Sequence, residues 1–489
     1  MNAHEYLCRR AISGLALGLS LGLTGPTSGQ SDIIIRGPYL QSLLSTSVRI
    51  VWLTEEPSRG AVVLGIEGQP TRRVEDTRRT LHVVDIADLE PATTYHYDVF
   101  MGDENLTEGA GFHFRTSPPL GTGKAHIVAL GDSGTGGVEQ RIIADLLCKL
   151  QPNLFLHTGD LKYILDIDEA LFSPYRETMA STCLYPSRGN HDVRLPWADL
   201  FFVPGQEFGG DPVTFYTFDW AAAHFIVVDT NKSLLPESEH IMWLEGALEQ
   251  ARNEAQDWVI LLFHAPPFNS GRHYSSSHRI REALVPLFDR FEVDLVLSGH
   301  DHNYQRTFPI RDGVVRDAWQ SPTFIEPRGT TYVVSGGGGQ ILYAKRNDIF
   351  SPFTNVFIES FHLVDIEIFP NELNLRALGS DGEELDSFTI RKGTPRPTIE
   401  FLRADNNGSG RVDLVDVLVL LNFLFAGGEM ACPTTGNIKS GDGSPTLTDA
   451  VATLNYLFLG GPSPEPPFPN CGPAPLDNDA FCFRASCDG

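Results

Sequence analysis

Short stretches that alternate apolar and polar residues dominate the chain up to about residue 117. SVRIVWLT from Ser47, AVVLGI from Ala61, TTYHYDVF from Thr93 and FHFRTS from Phe112 repeat with a period of two, and turn residues separate them. Half-buried strands have this pattern, so residues 31–117 are expected to form a small antiparallel β-sandwich. SPPLGTGK, rich in Pro and Gly, comes next as a linker.

The rhythm changes near residue 124. AHIVALGD, NLFLHTGD, WVILLFHA and VDLVLSGH are short apolar runs that each end in a polar cluster. Helical patterns lie between them: VEQRIIADLLCKL, HIMWLEGALEQAR and SHRIREALVPLFDRF. Strand, polar tip and helix in succession indicate an α/β domain, in which ligands gather at the carboxyl ends of the strands. TYVVSGG, FHLVDIEIF, ELNLRALG and ELDSFTI return to β structure and close this domain, residues 124–392. SGGGGQ, from Ser335, lacks the Lys and Ser/Thr of a phosphate-binding loop and reads as a strand-to-loop turn.

A second linker, residues 393–399, precedes a duplication over residues 400–489. LVDVLVLLNFLFAGG from Leu414 and LTDAVATLNYLFLGG from Leu447 share an Asp, a Leu-Asn pair, Leu-Phe and Gly-Gly, which predicts two similar helical units. Before the first copy, DNNGSGRVDLVD puts Asp405, Asn407, Ser409, Asp413 and Asp416 at the oxygen-ligand positions of an EF-hand-type calcium loop, with Gly410 at its turn. An acidic turn that caps the helix through Asp413 or Asp416 is the competing reading. Ahead of the second copy, Asp442 and Asp449 remain but the spacing is degenerate.

Composition narrows the class. A chain of 489 residues with 42% hydrophobic content has room for two or three cored domains. A net charge of −25 argues against a nucleic-acid-binding surface. It leaves a phosphorylated substrate open, because bound cations reverse the local sign of a site. Residues 1–29 place Arg9 and Arg10 before an apolar run and then small residues, the layout of a secretory signal peptide. Export to the medium, the cell surface or the periplasm is therefore expected. Beyond Cys8, the cysteines Cys148, Cys183, Cys432, Cys471, Cys482 and Cys487 suit structural roles, with disulfides expected in the tail.

The strand tips carry the candidate chemistry. ALGDSG offers Asp132, HTGDLKY offers Asp160 and Tyr163, RGNHD offers Asn190 and His191, LLFHAP offers His264, and SGHDH offers His300 and His302. Singly, such residues cap helices, make turns or sit hydrogen-bonded in a core. Five tips together point to metal, and hard oxygen donors with imidazoles suit iron, zinc or manganese. Two adjacent cations can share a carboxylate and still leave positions for water and a phosphoryl oxygen. A sharp turn in GHDH could send one imidazole to each. His224 and Asp229 fit a core strand and its end.

These five ordered motifs resemble the dinuclear metallophosphoesterases and, among them, the purple acid phosphatases, over about Ser31 to Lys392. RGPYLQ, SVRIVW and FHFRTSP resemble that family's fibronectin-like N-terminal domain, and the duplicated tail resembles dockerins. The resemblance implies an α/β fold of metallophosphoesterase type, an α+β four-layer β-sandwich flanked by helices. An N-terminal all-β sandwich and a small C-terminal α-helical repeat module accompany it. It implies Asp132, Asp160, Tyr163 and His302 on one metal, and Asp160, Asn190, His264 and His300 on the other. Many superfamily members begin with Asp-x-His; here Gly134 stands at the His position, and by resemblance Tyr163 fills the gap as a phenolate. A phenol of pKa near 10 ionises against a strongly acidic cation, which favours Fe(III), with Zn, Fe or Mn as the divalent partner.

The function so implied is that of a secreted acid phosphatase that hydrolyses phosphomonoesters by attack of a metal-bound hydroxide on phosphorus. Phosphodiester or nucleotide hydrolysis on the same metals is the runner-up, and a non-catalytic surface-anchoring protein is a third reading. His191 would contact the phosphate or protonate the leaving group. His273, in NSGRHYSSS, resembles the family's second outer histidine, although a solvated loop histidine would look the same. Asp301, Tyr304 and Arg306 would support the ligands from behind, and Gln305 stands where the family often has Glu. The tail implies calcium and a cohesin-like or cell-surface protein partner.

Overall fold

The computed structural model describes residues 33–254, 257–346, 353–394, 400–428, 430, 432–438 and 445–473. The expected leader at 1–29, Cys8, most of the 393–399 linker, Asp442, Cys482 and Cys487 lie outside the described residues. The chain divides into two units. One comprises Met1–Thr307 with Tyr332–Ser387, and the other Phe308–Thr331 with Phe388–Gly489. The central domain was expected to run unbroken to Lys392. Residues 308–331 and 388–392 instead group with the tail, and within that unit Thr323–Ile325 pairs in parallel with Thr389, Ile390 and Arg391.

The first unit begins with strands. Ile34–Gln41, Val48–Gly65, Arg72–Ile86, Thr94–Met101, Glu104–Asn105 and His113–Arg115 are hydrogen-bonded into one six-stranded sheet. SVRIVWLT and AVVLGI, read as separate strands, are two parts of the single strand Val48–Gly65. It stays paired to Arg72–Ile86 through a register shift between Leu53 and Ser58. Residues 54–57 have no register partner on Arg72–Ile86, as in a bulge, but pairing resumes at Ser58, so the apparent turn is a bend within the strand. Buried phenols tie this sheet to later segments of the same unit: Tyr39 donates to Leu200 O at 3.0 Å and Tyr97 to Ala180 O at 2.7 Å.

Beyond it the unit carries two further sheets. One carries, in spatial order, Tyr216–Trp220, Ala223–Val227, Trp258–Leu262, Leu295–Ser298, Thr331–Ser335, Tyr304–Thr307 and Thr354–Ile358. The other includes Glu372–Gly379, His362–Phe369, Ala125–Leu130, Leu154–His157 and Cys183–Pro186, in that order. Parallel pairing joins Ala125–Leu130 to Leu154–His157 and on to Cys183–Pro186; it also joins Ala223–Val227 to Trp258–Leu262 and on to Leu295–Ser298. Every residue of Trp258–Leu262 is buried, as expected of a parallel strand covered on both faces. The predicted helices form at Val138–Leu150, Glu239–Asn253 and Tyr274–Arg290. Ser238 caps the second of these by accepting from Ile241 N at 3.4 Å. Among the described residues, no helix is long and apolar enough to cross a membrane.

In the second unit, Leu414–Ala426 and Leu447–Leu459 are the two predicted helices. Each starts in a capping box, Asp413 with Asp416 and Thr446 with Asp449. Each ends at a left-handed glycine, Gly427 (φ 71°) and Gly460 (φ 67°), a conformation that favours a residue without Cβ. The amides of Gly428 and Gly461 return to Asn422 O and Asn455 O, at 3.1 and 3.0 Å. The repeated Asp, Leu-Asn and Gly-Gly are thus start and stop signals. Val417, Leu420, Met430 and Ala450 form the buried core between the copies.

Candidate metal centre

The carboxyl ends of the parallel strands deliver Asp132, Asp160, Asn190, His264 and His300 to loops that meet between the two sheets. Cross-links between these loops are short: His264 Nδ1 donates to Thr158 O at 2.9 Å, and His300 N to Asp132 Oδ2 at 2.8 Å. Asp132, Asp160 and His300 all hold left-handed backbones, with φ of 58°, 56° and 70°. Such conformations cost about 1 kcal/mol or more each outside glycine, and they concentrate where a fold holds side chains for function.

One group of donors surrounds Asp132. The Tyr163 hydroxyl lies 3.2 Å from Asp132 Oδ1 and 3.4 Å from His302 Nε2, and His302 Nε2 is 3.5 Å from the same carboxylate oxygen. His302 Nδ1 donates to Ile341 O at 2.7 Å. A carbonyl only accepts, so in a neutral ring Nε2 keeps its lone pair and turns it toward two oxygens. The tyrosine ring therefore faces the pocket, as its place in HTGDLKY suggested. A Cβ on Gly134 would come within 2.3 Å of Leu161 O and Lys162 Cα, so any side chain at 134 would displace the segment that carries Tyr163.

A second group surrounds His264. Its Nε2 lies 3.0 Å from Asn190 Oδ1, 3.1 Å from His300 Nδ1 and 3.5 Å from Asp160 Oδ2. Because Nδ1 is spent on Thr158 O, a neutral His264 again presents a lone pair to other electron-pair donors. Ligand atoms of Asp132, Asp160 and His264 all fall within 4.8 Å of one another, which links the two groups. The GHDH segment makes the expected turn: His300 goes to the second group and His302 to the first.

The electrostatics call for a cation. Burial works against a charge on His264, but Asp160 and then Asp132 outweigh it and push the imidazole up to about 10. The pocket thus draws a proton onto the one ring placed between its carboxylates. His300 is driven down to about 2 by burial and by charged His264. Burial, then Asp132 and Asp160, push the Tyr163 phenol well above its ordinary value. That phenol ionises only if a strongly acidic cation is shared with the same carboxylates. Oxygen and imidazole donors, with the Nδ1 hydrogens of His264 and His302 committed to backbone carbonyls, fit such a metal pair.

His191 and His273 lie beside these groups. His191 donates its backbone N–H to Asp160 Oδ1 at 2.9 Å, and its side chain, 48% exposed, packs 4.6 Å from the Tyr163 ring. His273 is not a solvated loop residue: it stacks on His300 at 4.3 Å and donates Nδ1–H to His300 O at 3.1 Å. Buried Asp301 accepts from the backbone of Arg272 and His273, at 3.0 and 3.1 Å, and from the Asn269 amide. Gln305 uses both ends of its amide, accepting from Ser270 N at 2.7 Å and donating to Asn269 and Asn303 at 2.8 Å. A glutamate could not make the two donations. Tyr304 and Arg306 are held by Asp386 rather than turned toward the ligands.

Two further groups hold the ligand loops. Asp192, within the RGNHD motif, accepts from Leu161 N at 3.0 Å and Gly189 N at 2.9 Å, tying the Asp160 loop to the Asn190 loop. Asp229, read as a core residue, fixes Asn231, whose amide donates to Arg188 O and Gly189 O at 3.0 and 3.3 Å. Tyr343 stacks on His302 at 4.1 Å, and nothing in its sequence context marked it.

Residues 125–304 match the profile of the calcineurin-like phosphoesterases. The chain carries a calcineurin-like phosphoesterase domain. Its relatives include purple acid phosphatase 21 of Arabidopsis thaliana, 28% identical over 53% of this chain and 58% of the relative. Probable inactive purple acid phosphatase 1 of the same plant is 26% identical over 64% and 58%. Acid phosphatase type 7 of Homo sapiens is 25% identical over 66% and 81%. In the two plant proteins, then, the match spans less than two thirds of the relative. Among solved structures, the purple acid phosphatase PPD1 of yellow lupin seeds superposes with a TM-score of 0.62 at 21% identity, covering 73% of this chain and 75% of that one. The structure named PhoD reaches 0.54 at 12% identity, covering 76% and 92%. Both likenesses establish the metallophosphoesterase fold.

Proposed function

We propose that this chain is an exported, dinuclear metal-dependent acid phosphatase that hydrolyses phosphomonoesters. One observation carries the reading: two sets of electron-pair donors converge at adjoining strand tips, and in each set one imidazole, His302 or His264, already spends its N–H on a backbone carbonyl. Asp132, Tyr163 and His302 would hold Fe(III), and Asn190, His264 and His300 a divalent zinc, iron or manganese, with Asp160 between them. When bound, such a pair supplies Lewis acidity toward phosphoryl oxygens and activates water below neutral pH. The protein's share is positioning. Asp160 anchors the backbone of His191, whose exposed imidazole then contacts the phosphate and passes a proton to the departing oxygen. His273, braced against His300, flanks the phosphate from the other side.

Disulfide-bonded Cys148, Cys432 and Cys471 support an oxidising compartment, and so export; Cys183 is a buried free thiol. We read the C-terminal unit as a calcium-loaded anchoring module. Asp405 and Asn407 both accept from Ser409 N at 2.9 Å, which brings their oxygens together as a hard cation requires. Exposed Leu414, Leu418 and Phe425 recur as Leu447, Val451 and Phe458, an apolar face that suits a cohesin-like or cell-surface partner.

Metal analysis with a visible spectrum, and initial rates on an aryl phosphate monoester and a bis-aryl diester, test the enzyme reading. Two metals including iron, a visible absorption band and faster monoester turnover are expected. Faster diester turnover would reassign the substrate class, and no turnover of either by metal-loaded protein would leave only the anchoring role. His191→Ala should lower kcat by about a hundredfold while keeping the metals; unchanged turnover removes His191 from the chemistry.

A further inference from the structure

Among the cations beside the site, Arg272 and Lys345 have no carboxylate partner among the described residues. Arg272 is exposed, and its guanidinium lies 4.7 Å over the Tyr343 ring, which itself stacks on His302 at 4.1 Å and 18°. Its backbone N–H is donated to Asp301 Oδ1 at 3.0 Å, so the residue is held from behind. Tyr343 is fixed as firmly, donating its own N–H to His302 O at 2.9 Å and accepting from Asn303 Nδ2 at 3.0 Å. The segment continues to Lys345, also exposed, and Arg346 N then donates to Ser270 O at 2.8 Å, joining the two loops. Among the described residues no carboxylate pairs with the side chain of Arg272 or of Lys345. In a chain of net charge −25, cations left without acidic partners at the rim of a phosphate site need an explanation.

We infer that Arg272, assisted by Lys345, is a specificity-determining residue that binds a second anionic group on the substrate, so that compounds carrying two phosphates are preferred over simple monoesters. The inference rests on the phosphatase reading above and deepens it. One aromatic ring separates the guanidinium from His302, which places it too far out to share the phosphoryl group held by the ligands. A second phosphate a few bonds along the same molecule reaches it. The planar guanidinium matches phosphate oxygens two at a time, and the ring beneath limits the freedom lost on binding. The inner face of Tyr343 is covered by His302 and the outer face by Arg272, so the ring is not offered to a nucleobase.

The test uses the full-length, metal-loaded protein and titration calorimetry with inorganic phosphate and with methylenediphosphonate, neither of which is turned over. The wild type should bind the diphosphonate about tenfold more tightly than phosphate, the gain expected from a charged hydrogen-bonding partner. In Arg272→Ala that ratio should fall toward one, Arg272→Lys should restore part of it, and Lys345→Ala should lower it less. The ratio of kcat/KM for ADP over AMP should fall in parallel, through KM. A wild-type binding ratio near one, or a ratio untouched by Arg272→Ala, overturns the inference. Hydrolysis of monoesters with no such ratio sinks this inference alone; a ratio that depends on Arg272 in a protein that hydrolyses nothing sinks the phosphatase reading alone.

Discussion

At the strand tips, Asp132 and Asp160 face the His302 and His264 nitrogens that carry lone pairs when neutral, with the Tyr163 phenol alongside. In the C-terminal unit, Asp405, Asp413 and Asp416 face backbone amides, as Asp132 and Asp160 also do once each, but with no imidazole beside them among the described residues. Ser409 and Gly410 donate to Asp405 at 2.9 and 2.7 Å, and Val415 to Asp413 at 2.8 Å. Asn406, Asn407 and Asp413 donate to Asp416 at 2.8, 3.1 and 2.7 Å. Both regions matched ligand spacings in the sequence, yet only the first needs a cation to relieve its own donors. The second is already partly satisfied, because each carboxylate has lone pairs left after its amide contacts. The two readings of the DNNGSGRVDLVD loop, calcium ligands or helix cap, therefore do not exclude each other: Asp413 and Asp416 do cap the helix.

The largest effect should come from breaking the first arrangement. Tyr163→Phe keeps the ring and removes the oxygen that lies between Asp132 and His302. Iron content and the visible band should be lost, and kcat/KM should fall by at least about a hundredfold, more than the loss of a group that merely supports a ligand. A variant that kept the band would place the chromophore elsewhere. Gly134→His, which restores the Asp-x-His pattern, should not rescue the variant, because a side chain at 134 collides with Leu161 and Lys162.

The calcium loop should respond more mildly. With calcium at ten times its dissociation constant, binding to the folded state alone stabilises by roughly 1.4 kcal/mol. Calcium should raise the melting temperature of the wild type by a few degrees and leave Asp405→Ala where it was. Phosphatase activity measured under a calcium-specific chelator should be unchanged. Melting curves indifferent to calcium would reduce the loop to a helix cap, with Asp413 and Asp416 doing all that the structure already shows.

The sequence made much of this visible, and the exceptions have a common cause. The Val138–Leu150 helix coincides with its apolar periodicity, and all seven proposed ligand side chains reach one region because the loops at the carboxyl ends of the parallel strands meet there. Thr158 O and Ile341 O, which fix the two histidine tautomers, could not be read from sequence, since every residue has a carbonyl. Tyr343 and Asn231 carry no sequence signal because they act from loops without motif or periodicity. Local pattern divides the strand Val48–Gly65 in two because EEPS has the composition of a turn; pairing across a bulge is a tertiary fact that local pattern does not encode.

A third kind of buried carboxylate sharpens the comparison, with the smallest effect. Asp365, on His362–Phe369, is neither short of protons nor served by amides: His126 Nε2 lies 2.7 Å from one oxygen, and Arg376 binds the other. Burial alone would raise its pKa, but the hydrogen bonds from His126 and Arg376 lower it below the ordinary value. A carboxylate depressed in the folded state stabilises at pH above its unfolded value of about 3.9, and that contribution is lost as pH falls through the lower folded value. Asp365→Asn should thus cost about 1 kcal/mol at pH 7, or roughly 2 °C in Tm. The gap between wild type and variant should hold down to about pH 4 and close below it. If melting curves at pH 7, 5 and 3 showed a constant gap, charge would not be what Asp365 contributes. The contrast with Asp132 and Asp160 would then rest on packing rather than on how each carboxylate is neutralised.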